Sequence, residues 1–182
     1  MRLPAVGVRF APFLAVALTL AIASPTLAFG GGTKRVGVDI SPGTYRTRTS
    51  VSDCYWERLK GFSGNLSDII ANDFSTGYQV VTIKSTDKGF NSSRCSNWSS
   101  DLSQVTASKT KFGQGTFIVG TDIQPGTYKS STGGSCYWAR LSNFLGTLSS
   151  ILANHYGSQG LVTIRSTDKG FQSSRCGTWT KV

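Results

Sequence analysis

The sequence predicts an all-β protein made of two small domains in tandem, each a β-sandwich or partly open barrel closed by one disulfide. Three observations lead there: a duplication that covers nearly everything after residue 28, short apolar segments rich in β-branched and aromatic residues between Gly, Ser and Thr joins, and four cysteines, two per copy.

The first element is an export signal over residues 1–28. Arg2 and Arg9 flank an apolar run from Ala11 to Ala23, and Thr26 and Ala28 stand at the −3 and −1 positions of a small-residue cleavage site. A retained anchor is disfavoured, because a bilayer-spanning helix needs about 20 apolar residues and Pro25 interrupts this stretch. No membrane span is expected after cleavage. Removing the segment takes two of the 19 basic residues and none of the nine acidic ones, so the formal charge falls from +10 to +8.

The repeat carries most of the remaining inference. FGGGTKRVGVDISPGTY from Phe29 aligns with FGQGTFIVGTDIQPGTY from Phe112, CYWERL at Cys54 with CYWARL at Cys136, and TIKSTDKGFNSSRC at Thr82 with TIRSTDKGFQSSRC at Thr163. The copies occupy residues 29–98 and 112–182. The polar stretch 99–111 occurs once and reads as a linker. Closing each copy in the same way pairs Cys54 with Cys95 and Cys136 with Cys176, and loop-closure entropy assigns each bridge roughly 4 kcal/mol. In units this small that contribution is comparable with what a core supplies.

Within the second copy, strands are expected at Phe117 to Ile123, Thr127 to Ser131, Cys136 to Leu141, Leu161 to Arg165 and near Cys176 to Thr180. Pro125-Gly126, like Pro42-Gly43, suits a type II turn. Asp87 and Asp168 start turns expected to end in left-handed Gly89 and Gly170. LSDIIAN at Leu66 and LSSILAN at Leu148 fit either a helical turn with Ser67 or Ser149 as N-cap or a buried strand, with strand or irregular structure slightly favoured.

No catalytic, cofactor or metal constellation emerges. His155 is the only histidine, the cysteines lack metal-ligand spacing, and GxSxG, HExxH and P-loop patterns are missing. Of the carboxylates shared by both copies, Asp39 and Asp122 precede the Pro-Gly pairs while Asp87 and Asp168 belong to the DKG turns, so a structural role is expected over a paired-acid hydrolase. No enzyme is expected.

Binding candidates are Arg58 and Arg140 in CYW-x-RL, Arg94 and Arg175 before each second cysteine, and Trp98 and Trp179 beyond it, the indoles being the aromatics least suited to a core. Strand alternation places Cys136, Trp138 and Arg140 on one face, where the arginine is expected to meet a repeated Asp or an indole.

Together, VG-x-DI-x-PGTY, CYW-x-RL and STDKGF-x-SSRC resemble a repeat of secreted or surface proteins of bacteria, particularly actinomycetes, for which no activity is established. The resemblance implies an extracytoplasmic accessory or binding domain, with no ligand or residue role carried over. The net charge favours an anionic polysaccharide or other cell-envelope component as partner, while also serving solubility. A protein partner is the second expectation, and nucleic acid a poor third.

Overall fold

A computed structural model of the protein describes Met1 and residues 27–132, 134–158 and 160–182. The expected signal lies outside the described residues except for its two ends. Sixteen strands follow. The first unit has β1 (Ala28–Phe29), β2 (Lys34–Arg35), β3 (Gly43–Thr47), β4 (Val51–Leu59), β5 (Ile69–Gly77), β6 (Val80–Ile83), β7 (Gly89–Ser93) and β8 (Trp98–Ser99). The second repeats the series as β9 (Lys111–Phe112), β10 (Gly115–Ile118), β11 (Gly126–Ser130), β12 (Cys136–Leu141), β13 (Ile151–Gly157), β14 (Leu161–Ile164), β15 (Gly170–Ser174) and β16 (Trp179–Lys181).

Each unit is a sandwich of two four-stranded antiparallel sheets, ordered β1-β8-β3-β6 and β2-β7-β4-β5 in the first and β9-β16-β11-β14 and β10-β15-β12-β13 in the second. Inward residues alternate with outward ones, as sheet packing requires. Tyr45, Trp56, Val81, Ile83, Phe90 and Trp98 fill the first core, and Phe112, Phe117, Tyr128, Val162, Phe171 and Trp179 the second. Disulfides Cys54–Cys95 and Cys136–Cys176 close them.

Several local expectations are corrected. Gly43 and Gly126 open strands β3 and β11 instead of closing a type II turn after Pro42 and Pro125. The tight turn lies earlier, at Gly37 and Gly120, whose φ values of 81° and 86° are left-handed. Asp39 and Asp122 stabilise it by accepting from the backbone N–H groups of Arg35 and Ile118.

Similarly, Asp87 ends the turn begun by Lys84 instead of starting one, its carboxylate accepting from the Lys84 N–H at 2.9 Å. Asp168 holds the Arg165 N–H in the same way. Gly89 and Gly170 open strands β7 and β15, which the sequence reading missed. They are glycine because an aromatic ring lies on them: a Cβ on Gly89 would stand 2.5 Å from Phe62, and Phe144 crowds Gly170 in the same way. The ambiguous segments are both things in succession, a one-turn 3-10 helix at Leu66–Asp68 or Leu148–Ser150 followed by strand β5 or β13. Asn65 and Thr147, not Ser67 and Ser149, occupy the N-cap positions.

The units are fastened to each other. The β5–β6 side of the first meets β10 and the segment after β12 of the second: the Thr116 N–H donates to Tyr78 O at 2.6 Å and the Thr82 N–H to Phe144 O at 2.8 Å. The Tyr78 ring packs on Phe117, centroids 6.1 Å apart. Arg46 on β3 reaches across to Asp122 with two bonds of 3.1 and 3.0 Å, both side chains fully buried. The stretch expected as a linker begins inside β8 and ends inside β9, and the segment between packs over this pair: Ser103 O accepts from Arg46, and the Val105 N–H donates to Asp122.

Candidate functional site

Strand geometry sorts the sequence-predicted residues into two groups. Trp98 and Trp179 are 0% exposed, which corrects the expectation that these indoles face solvent. Each lies edge-on to a phenylalanine, Phe90 or Phe171, and donates its Nε1–H to Ser92 or Ser173. Their position past the closing cysteine suggested a tail, but β8 and β16 return into the centre of a sheet.

Arg58 and Arg140 are likewise structural. Arg58 forks onto Asp87 at 2.7 and 2.8 Å, and Arg140 onto Asp168 at 2.6 and 2.8 Å. Burial opposes ionisation of Asp168, but the Arg140 bonds and the Arg165 N–H prevail and hold its carboxyl below the ordinary value. Arg58 also donates to Leu145 O of the other unit, at 2.7 Å.

Arg94 and Arg175 are the exposed pair. Both have a left-handed φ of 56°, a conformation uncommon for side-chain-bearing residues. Arg94 stands 5.8 Å over the Phe74 ring.

Two depressions lie along the joint between the units. The larger, about 610 Å³, takes Trp56, Ile70, Asn72 and Asp73 from the first unit and Asn143, Phe144, Leu148, Ile151 and Gln172 from the second. The smaller, about 270 Å³, is lined by Phe74, Tyr137, Tyr156, Ser174 and Arg175. Asp73 and Gln172 belong to both. Asp73 Oδ2 accepts from Ser75 at 2.7 Å and from Gln172 at 3.2 Å. Burial pushes its carboxyl above the ordinary value, the Ser75 bond opposing only partly. Trp56, 3% exposed, has an indole Nε1–H without a partner among the described residues.

One difference between the copies bears directly on Gln172. In the first unit Glu57 accepts from Tyr55 and Asn91, which ties down that sheet face. The second has Ala139 at the corresponding place, so Tyr137 has no such acid beside it and Gln172 turns across the joint to Asp73. Sequence comparison carried the signal, as CYWERL against CYWARL, but only the packing gives it meaning.

A second feature is the outer face of sheet β9-β16-β11-β14. Cross-strand pairing sets Lys111 opposite Thr180, Thr180 opposite Lys129 and Lys129 opposite Leu161, all exposed. The matching row in the first unit, Ala28, Ser99, Arg46 and Val80, has Arg46 buried by the linker and Asp122. From residue 109 onward the chain has eight basic residues and two acidic ones, Asp122 and Asp168, both held by arginines. Net positive charge is therefore concentrated on the second unit. Among the described residues no helix is long and apolar enough to cross a membrane.

Comparison with known proteins bears on the same two units. A family model described as the Rv1352-like extracellular domain matches residues 26–99 and again residues 109–180. No curated protein and no solved structure matches the chain.

Proposed function

The chain belongs to the Rv1352-like extracellular domain family, whose domain it carries twice, and from that premise we propose that it is an exported, non-enzymatic protein that binds an anionic polymer of the cell envelope. The observation that carries this reading is the row Lys111, Thr180, Lys129 and Leu161 on the second unit, cationic and uncovered where the equivalent row of the first unit is occupied. Local acids do not neutralise it, because Asp122 and Asp168 are engaged elsewhere. A non-enzymatic role is supported by the four repeated carboxylates, Asp39, Asp87, Asp122 and Asp168, each held by an arginine. None is free to transfer a proton.

Retention of the full chain on immobilised teichoic acid or on heparin, with a salt gradient, tests the proposal. Elution should move to lower salt in Lys111→Glu/Lys129→Glu. Failure to bind either support at low salt overturns it. A protein partner is the second reading, favoured by Leu152 and Tyr156, exposed along strand β13 at one border of its sheet. Capture of a secreted protein that is indifferent to salt and lost in Leu152→Lys would select it.

A further inference from the structure

We infer that the joint between the two units is a binding site for an uncharged oligosaccharide, separate from the cationic face. The walls come from both units and are held in place by groups with no freedom to rearrange cheaply. Arg46 and Asp122 are buried as a pair, Arg58 is fixed to Leu145 O, and Thr82 to Phe144 O. Such preformed walls spare a ligand the cost of ordering them. The larger depression, about 610 Å³, falls in the size range of small-molecule pockets.

The chemistry of the walls selects the ligand class. No Lys or Arg lines the larger depression, so an anion finds no counter-charge there. Its one carboxylate, Asp73, is held above the ordinary pKa by burial, which works against a cationic ligand as well. What remains is neutral hydrogen-bonding capacity. The side-chain donors to Asp73 both address Oδ2, and a backbone bond from Phe74 also supports the carboxyl. Gln172 uses its amide nitrogen on Asp73 and has its carbonyl oxygen to offer. Amides and a carboxylate set among apolar side chains suit vicinal hydroxyls, donors and acceptors at once.

Across Asp73 and Gln172 the smaller depression adds the Tyr156 ring, 69% exposed, with Tyr137 alongside, and Arg175 in its wall as a donor to hydroxyls. Aromatic faces present an apolar body to the C–H side of a sugar ring while the phenol keeps a polar end. Because the two depressions share their central residues, the fitting ligand is one with adjoining rings, an oligomer.

Titration calorimetry of the full chain with cellotetraose, maltotetraose and tetra-N-acetylchitotetraose tests the inference. At least one should bind with one site per chain and with an affinity unchanged between low and high salt. Gln172→Ala and Tyr156→Ala should each weaken it about tenfold, the scale of one lost hydrogen bond or one lost ring face, with melting temperatures near that of the parent. Lys111→Glu/Lys129→Glu should leave it intact, which separates this site from the anionic-polymer face. Absence of binding by all three sugars, or binding undiminished in both joint variants, overturns the inference.

Discussion

Strands β2 and β10 occupy the same place in their units and are built to opposite specifications. Strand β2 reads Lys34-Arg35, two residues long and charged, and borders its sheet. Strand β10 reads Gly115-Thr116-Phe117-Ile118, twice as long, with Phe117 only 1% exposed. Edge strands left open to water are kept short and charged, since otherwise they invite pairing with other chains. Strand β10 escapes that rule because the first unit covers it with Tyr78. The carboxylates next to these strands follow suit. Asp39 stays on its own unit with exposed Arg35, whereas Asp122 is buried against Arg46 of the other. What one copy shows to solvent, the other uses to hold its neighbour.

Exchanging the two edges is the severest way to break this comparison. Phe117→Lys/Ile118→Arg, which writes the β2 sequence onto β10, should cost about 5 kcal/mol by placing a charge in the second core and removing the Tyr78 contact, as read by urea unfolding. The reverse change, Lys34→Phe/Arg35→Ile, should leave unfolding nearly unchanged and promote aggregation, visible by light scattering.

Next in size, Asp122→Ala strands the buried Arg46 and should destabilise by about 3 to 5 kcal/mol. Asp39→Ala, at the matching surface position, should hardly move the urea midpoint. A smaller contrast lies at Gly146 and Gly64, both left-handed, at φ 70° and 79°. A Cβ on Gly146 meets the Trp56 ring at 2.5 Å, while on Gly64 nothing lies within 4 Å. Gly146→Ala should therefore cost about 2 to 3 kcal/mol and Gly64→Ala about 1.

The smallest effect concerns pH. Because the folded carboxyl of Asp73 has a raised pKa, its protonated form contributes stability that is present in acid and lost as pH rises through and above the usual carboxylate range. Asp73→Asn should match the parent in acid and melt higher near neutrality. The corresponding His155→Asn change in the second unit, made as a control, should not reproduce that carboxylate-range profile.

Much of this architecture was legible in the chain. The duplication fixed two like units, and because the copies share their cysteine positions it also gave the pairing. Alternation along CYW-x-RL put Arg58 and Arg140 on the inward face, beside the repeated aspartates. The turns were misplaced because Pro-Gly is a strong local signal, while Gly37 and Gly120 act through a turn held by an aspartate two residues on. Trp98 and Trp179 were read as exposed because nothing local shows that the last strand runs through the middle of its sheet. The joint itself was written in plain sight, as KRVG against FIVG, but an alignment weighs such differences as drift. Only knowledge that both segments border a sheet turns Lys34 against Phe117 into a statement about contact.

The joint pairs unlike surfaces, the β5–β6 side of one unit with the β10 side of the next, and such a head-to-tail fit has no internal limit: units bearing both halves would string into fibres. Each outer end of this protein is missing its half. The second unit has two residues, 159–160, where the first has Gly77-Tyr78-Gln79, and it has Lys129 for Arg46 and His155 for Asp73, while the first unit offers Lys34 in place of Phe117. Neither outer end therefore offers a further copy the contacts that fasten the two units to each other.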